Sequence, residues 1–480
     1  MAWLEQVLRF QPCLARILHR NVARQARDVM FHLHSQTNAQ AHAANGPLIM
    51  ERGEGIHVFD SQGKRYVEAM AGLWCTSLGF SEARLKRAAA EAYDKFGFYH
   101  TFNHKTPAAT IDLAEKLVAL SPIPQAQAYF ATSGSEATET MVKLAWVYHT
   151  VRGKPGKRKI ISRDRGFHGS TIVAASMCGM PRMHREFGLP LPGFLHTLCP
   201  DAYHGMQPGE DEAAVVLRLA ATLEELILRE GADTIAAFIA EPINAGGGII
   251  VPPAGYFPAI EAVLRRHDIL VLGDEVVCGF GRTGEMWGSQ TVGMQPDMVA
   301  LAKGISSSYF PISAVILGKP IQDALAEMNK GGEIFGHGFT NSGHPVGVAV
   351  ALETIRIYEE MDVVPHVRAM GARLRAGLDA LAAQSRIVGQ VRGAGLMIGV
   401  ELVAEPASRT AFDPALKIGA RFDAEALRNG LVIRAMGDTI GLCPPLIIDA
   451  AGVDEILDLF GRTLASVEAG LARPHTAAAE

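Results

Sequence analysis

Lys303 ends the apolar run Met298-Val299-Ala300-Leu301-Ala302, and Gly304 follows it at once. A strand carrying Val299 and Leu301 would be buried and would deliver the lysine to a partly desolvated place. Desolvation lowers the pKa of an amine and frees it as a nucleophile. Upstream, Asp274 ends a second apolar run, Ile269-Leu270-Val271-Leu272-Gly273. A lysine able to form a Schiff base, with an aspartate able to pair a pyridinium nitrogen, is the pattern of a pyridoxal phosphate site. Each residue alone also reads as an ordinary strand end, so the remaining parts of such a site must be found.

Tyr129 to Ala137 reads as a strand, a small-residue turn and a helix start. Ser135 is the expected N-cap, with Glu136 and Glu139 in the first turn. Backbone N–H groups and hydroxyls around Ser133, Gly134 and Ser135 would hold a phosphate there. Gly166-Phe167-His168-Gly169 places an aromatic between glycines just after a strand. Phe167 would lie on the face of a flat ring, worth roughly 1 kcal/mol. Glu241 puts a carboxylate at a further strand end. Gly246-Gly247-Gly248 matches no phosphate loop, and Gly393-Ala394-Gly395 lacks the spacing of a dinucleotide fingerprint, which excludes a nicotinamide site. The cradle, ring, aspartate and lysine follow one another at strand ends, where α/β sheets bind ligands.

These residues need a sheet to carry them. Strands are expected at 126–130, 159–161, 235–240 and 269–272, besides the run before Lys303. Helices are expected at 107–120, 136–151, 213–229 and 255–267. Strand–helix alternation of this kind argues a mostly parallel sheet covered on both faces. Before it, 48–69 reads as two strands around the turn Asp60-Ser61-Gln62-Gly63, and Ala71 to Cys75 as a loop. Ser81 to Phe96 reads as a helix with Leu85, Ala88, Ala89 and Tyr93 on one face. After the sheet come helices at 344–361 and 364–384, strands within 388–402, a helix at 414–429, short paired strands within 431–447, and a closing helix at 453–471. The expected division is an arm at 1–29, a small α/β domain of 30–85 with 346–472, a large domain of 86–345, and a tail at 473–480.

A chain of 480 residues is too long for one compact core. A net charge of −5 gives no reason to expect nucleic acid or an anionic membrane as a partner. Cys13, Cys75, Cys178, Cys199, Cys278 and Cys443 are scattered, which reads as reduced thiols in the cytoplasm rather than a disulfide frame or a zinc site. No metal is expected. No apolar run is long enough to span a bilayer. Arg9, Arg16, Arg20, Arg24 and Arg27 among apolar residues lean toward a transit-peptide composition, but are read as an added arm or an upstream start.

From about Ala44 to Leu471 the chain resembles the class III aminotransferases, of the fold type I shared with aspartate aminotransferase. The resemblance rests on Thr132-Ser133-Gly134-Ser135-Glu136-Ala137, Phe167-His168-Gly169, Asp274-Glu275-Val276, Gly279-Phe280-Gly281-Arg282-Thr283-Gly284 and Ala302-Lys303-Gly304. Ala71 to Cys75 and Arg434-Ala435-Met436-Gly437-Asp438 resemble the omega-transaminase branch. The fold implied is α/β, with a mostly parallel, seven-stranded sheet in a large domain and a smaller α/β domain from both termini. The activity implied is ping-pong transfer of an amino group from an amine or omega-amino acid to a keto acid such as pyruvate, on pyridoxal 5'-phosphate.

By the resemblance, Lys303 would hold the cofactor covalently and serve as general base, and Asp274 would pair the pyridine nitrogen. Phe167 and Val276 would sandwich the ring, and Ser133, Gly134 and Ser135 would cradle the phosphate, with His168 and Glu241 beside them. Thr340 would reach the phosphate of a partner subunit, which implies a homodimer or a dimer of dimers. Trp74 would wall the substrate pocket with Phe98, Tyr99 or Phe102 nearby, and Arg434 would take the substrate carboxylate. Phe167 stands where many omega-transaminases carry tyrosine, so a hydroxyl is lost at the substrate. Two alternatives stay open: a decarboxylase or aminomutase on the same parts, and a non-enzymatic protein of this fold.

Overall fold

The computed structural model describes residues 24–471. The expected tail at 473–480 lies outside the described residues, as does most of the arm at 1–29, of which the helix Arg24–Phe31 is described. Among the described residues two compact units are present: 24–53 with 58–66, and 54–57 with 67–471. In the first, Tyr66 donates to buried Asp60, and the amides of Gln62 and Lys64 close the turn on the same carboxylate.

The second unit holds a seven-stranded sheet. Its strands are β1 (Gln127–Ala131), β2 (Lys159–Arg163), β3 (Phe194–Thr197), β4 (Ile235–Ala240), β5 (Leu270–Asp274), β6 (Met298–Leu301) and β7 (Ser313–Leu317), in the spatial order β1-β7-β6-β5-β4-β2-β3. The pairs β6/β5, β5/β4, β4/β2 and β2/β3 are parallel, whereas β7 runs antiparallel to both neighbours. Every residue of β4, β5, β6 and β7 is buried, as expected of strands covered on both faces. Side chains alternate strictly. Leu270, Leu272, Met298 and Ala300 pack with Ala137, Met141 and Leu144 of the helix Gly134–Val151. Val271 and Phe238 pack on the opposite face with Leu223, Phe257, Ile260 and Leu264.

Register brings the functional ends together. Ala240 pairs with Gly273 and Asp274 with Ala300, so Glu241, Asp274 and Lys303 leave one edge of three neighbouring strands. Ala314 of β7 pairs with Phe130 on one side and Leu301 on the other, which puts the turn after β1 at that same edge.

Two strands, β3 and β7, have no counterpart among the expected elements. The half-buried edge strand β3 lacks an apolar run, whereas the run in β7 was legible. Residues 48–69 form three strands, not two, because the chain turns at Gly55-Ile56 between Met50–Glu54 and His57–Asp60; the third is Arg65–Glu68. The helix Ala83–Lys95 buries Leu85 and Ala92, while Tyr93 is 55% exposed and leaves the expected face. Position 92 is seven residues from 85, two full turns, and 93 rotates outward.

Toward the C-terminus, β8 (Val388–Ala394), β9 (Met397–Leu402), β10 (Arg434–Met436) and β11 (Thr439–Leu442) form an antiparallel sheet ordered β8-β9-β11-β10. Val67 and Glu68 pair in parallel with Leu431 and Val432. Among the described residues no helix is long and apolar enough to cross a membrane.

Candidate active site

Asp274 is the last residue of β5 and is 3% exposed. Its Oδ2 lies 2.8 Å from His168 Nδ1, and its Oδ1 accepts from the Val276 amide at 3.1 Å. His168 is itself held at three points. Its amide donates to Cys178 Sγ at 3.1 Å, its carbonyl accepts from Thr138 Oγ1 at 2.9 Å, and its ring is buried. The carboxylate is therefore aimed by a histidine that cannot turn.

Lys303 follows β6 with a left-handed backbone, φ 47°. Such a conformation is costly for a non-glycine residue and persists where its surroundings impose it. Burial pushes the Lys303 amine below the ordinary lysine range, and the charge of Asp274 opposes that fall. The amine is thus more often neutral than a free lysine, as a nucleophile or proton acceptor must be.

The helix Gly134–Val151 begins at the same edge. Its N-cap is Ser133, whose Oγ accepts from the Glu136 amide at 3.2 Å, not Ser135 as expected. Either serine can cap; the Glu136 carboxylate selects Ser133 by reaching back to the amide and hydroxyl of Thr132, both at 2.7 Å. Ser135, inside the first turn, accepts from the Ser170 amide at 3.0 Å. Helix geometry leaves the amides of Gly134 and Ser135 without an intrahelical acceptor, the arrangement that takes an anion. A Cβ on Gly134 would lie 3.3 Å from both methyls of Val276 and 3.8 Å from Ala302 Cβ. The helix start, Val276 and the lysine's neighbour thus meet at one point, where an added Cβ would press on the Val276 methyls.

Phe167 is half-buried against Ala175, Cys178, Met180 and Met183. Glu241 holds it through the backbone: Oε1 accepts from the Phe167 amide and Oε2 from the Ala245 amide, each at 3.0 Å. Burial raises the Glu241 carboxyl pKa above the usual range. Both oxygens are engaged in this way, so Glu241 clamps the aromatic loop at the same sheet edge.

Of the expected substrate residues, Trp74 adjoins this group through Cys443, whose thiol interacts electrostatically with Lys303. Trp74 is 4% exposed and packs with Met70, Ile243, Ile249, Met397 and Cys443. Its loop is strained, with positive φ at Ala71, Gly72 and Trp74. Arg434 is half-buried on β10; burial lowers its pKa, the Arg182 charge lowers it further, and Asp423 opposes both. Phe102 and Thr340 are exposed, and the Phe102 ring covers Gly338, where a Cβ would lie 2.6 Å from Cζ.

Residues 39–464 match the family model of the class-III aminotransferases. The chain belongs to that family. It is 45% identical over 424 residues to gamma aminobutyrate transaminase 1, mitochondrial, of Solanum lycopersicum, covering 88% of this chain and 82% of that protein. It is 44% identical, over 88% of this chain and 82% of the relative, to gamma-aminobutyrate transaminase 1, mitochondrial, of Oryza sativa subsp. indica. Among solved structures, the omega transaminase from Pseudomonas jessenii in complex with PMP superposes with a TM-score of 0.92 at 47% identity, covering 94% of this chain and 99% of that one.

The protein is thus a fold type I aminotransferase dependent on pyridoxal phosphate, and the decarboxylase, aminomutase and non-enzymatic alternatives give way. The residues present fit that cofactor. The turn at Gly134 is tight against Val276, the amides of Gly134 and Ser135 have no intrahelical acceptor, and a buried carboxylate acts on the charge of a desolvated lysine.

Sequence reasoning missed two supports. Arg163, at the end of β2, is buried and donates to the Glu241 carbonyl. Glu68 is buried at the end of Arg65–Glu68 and accepts from the Met70 amide at 2.9 Å, just before the Trp74 loop. For Glu68 the signal was present: a carboxylate closing a short apolar strand, as with Asp274.

Proposed function

We propose that this aminotransferase takes its amino group from an omega-amino acid or a primary amine, with γ-aminobutyrate the first donor to test, and passes it to pyruvate. The observation that carries the reading is the pairing of desolvated Lys303 with the fixed Asp274 carboxylate at one sheet edge. The donor class rests on the names of the relatives and on Arg434, a cation beside the second positive charge of Arg182.

Pyridoxal phosphate, when bound, supplies a carbonyl that exchanges for the amine and a ring that accepts the substrate's electrons. Lys303 Nζ would hold the cofactor at that carbonyl and would serve as the base for the proton on the amine-bearing carbon of the substrate. Asp274 keeps the ring nitrogen protonated, since an opposite charge raises that nitrogen's pKa. His168 holds Asp274 in place. Gly134 and Ser135 bind the phosphate through their amides, and Ser133 contributes by setting the helix start. Phe167 and Val276 would cover the two ring faces. Trp74 and Phe102 shape the substrate side, and Arg434 binds the substrate carboxylate. An arginine locked in place would leave its charge unpaired when an uncharged amine enters, so Arg434 must move between the two half-reactions.

We further propose a homodimer in which exposed Thr340 reaches the partner's phosphate. Light scattering should give twice the chain mass or a higher even multiple. A donor panel of γ-aminobutyrate, β-alanine, putrescine, taurine and an arylalkyl amine, each with pyruvate and scored by alanine formed, tests the donor. Equal inactivity of the omega-amino acids alongside an active amine would move the reading to amines.

A further inference from the structure

We propose that Asp28, His32 and His34 form a binding site for a divalent transition-metal ion, with zinc the ion to test. The site belongs to the first unit and does not depend on the proposed function. It also goes against the expectation, drawn from scattered cysteines, that the chain holds no metal.

One ligand atom from each of the three residues can be chosen so that all lie within 4.8 Å of one another. His32 Nδ1 is 3.1 Å from Asp28 Oδ1, and His34 Nε2 is 2.6 Å from Asp28 Oδ2. Bonds of about 2.1 Å to a tetrahedral ion place ligand atoms about 3.4 Å apart, a separation within the 4.8 Å span of these groups. Two imidazole nitrogens and a carboxylate oxygen suit zinc and its neighbours rather than calcium or magnesium, which prefer oxygen alone. Three protein ligands leave the fourth position of a tetrahedron for water or an external ligand.

Local structure explains the convergence. Asp28 lies in the last turn of the helix Arg24–Phe31, and the His32 amide continues that helix by bonding the Asp28 carbonyl at 2.9 Å. Residues four apart share a helix face, and His34 comes back onto it after the helix ends. The ring centroids of His32 and His34 are 4.3 Å apart. A fourth group orients the carboxylate: His42 Nε2, from the helix Ala39–Asn45, lies 3.0 Å from Asp28 Oδ2. Metal-binding carboxylates are commonly held by such an outer partner. The His42 ring lies tilted against that of His34, with centroids 4.2 Å apart.

The test uses tag-free holoenzyme equilibrated with zinc and dialysed against metal-free buffer, with zinc counted per chain by mass spectrometry. About one zinc per chain is expected. His34→Ala should lose it. His32→Ala should bind more weakly, and since the His32 side chain is 65% exposed this variant disturbs folding least. His42→Ala should retain the site with affinity lowered about 10- to 100-fold, as for other outer partners. Cobalt in place of zinc should give the intense visible absorption of a tetrahedral site in the wild type and not in Asp28→Asn. Wild-type protein that retains no zinc, or His32→Ala and His34→Ala variants that retain as much as the wild type, would overturn the proposal.

Discussion

His168 and Asp274 meet 2.8 Å apart in the floor of the site, both 3% exposed, although 106 residues separate them in the chain. The histidine's bond to this carboxylate makes it the positioner of the group that would govern the cofactor ring. His168→Ala leaves a buried carboxylate short of one partner, which costs about 1–3 kcal/mol. Denaturant midpoints should fall accordingly, and kcat should drop more than KM rises. His168→Asn can place its amide N–H where Nδ1 stood and should recover part of the kcat. An asparagine variant no better than alanine would count against positioning.

Lys303→Ala should lower turnover by at least about a hundred- to ten-thousandfold, the range for removing a general acid–base group. The protein should remain folded and still take up cofactor. Borohydride treatment of the wild type should fix the cofactor to the peptide carrying Lys303. A label on another lysine would show that the attachment point was wrongly assigned.

Arg434→Ala should discriminate between substrates. A lost charged hydrogen bond of about 1.5–3 kcal/mol corresponds to a rise of roughly 10- to 100-fold in KM for a keto acid. A neutral amine should be little affected. Equal losses for both would remove the carboxylate-binding role.

Glu68 gives a pH dependence of known sign. Burial pushes its carboxyl from 4.5 up to about 7, against the lowering effect of the Met70 and Gly72 amides. The folded state then holds a proton that the unfolded state has released. Stability from this group is complete below 4.5 and declines as pH rises toward 7, by about 3 kcal/mol in all. Glu275 is pushed up to about 7 by burial and adds a slope of the same sign. Glu68→Gln should flatten, without abolishing, the fall in melting temperature between pH 5 and 7; the wild-type slope in that variant would exclude Glu68 as its source.

Much of the site was legible because its signals are local. Buried strands of a parallel sheet are short apolar runs, and a run that stops at a polar residue announces a strand end. Lys303, Asp274 and Glu241 all carry that mark, and the helix start after Phe130 carries a small-residue turn. What these residues do to one another is not local. That Ser133 rather than Ser135 caps the helix depends on where Glu136 folds back. That Glu241 clamps the Phe167 backbone depends on β4 lying beside β2. The antiparallel β7, which aligns Phe130 with Leu301, was readable as a run but not as a position in the sheet.

Amino-acid order by itself determined which residues stand at strand ends and which chemistry their types allow. Tertiary structure decided their partners and their solvation: the neutral bias of Lys303, the histidine behind Asp274, and the charges of Arg182 and Asp423 around Arg434. The reason is physical. Strand and helix patterns follow from periodicity within a few residues, whereas hydrogen bonds and desolvation depend on atoms brought together from distant parts of the chain.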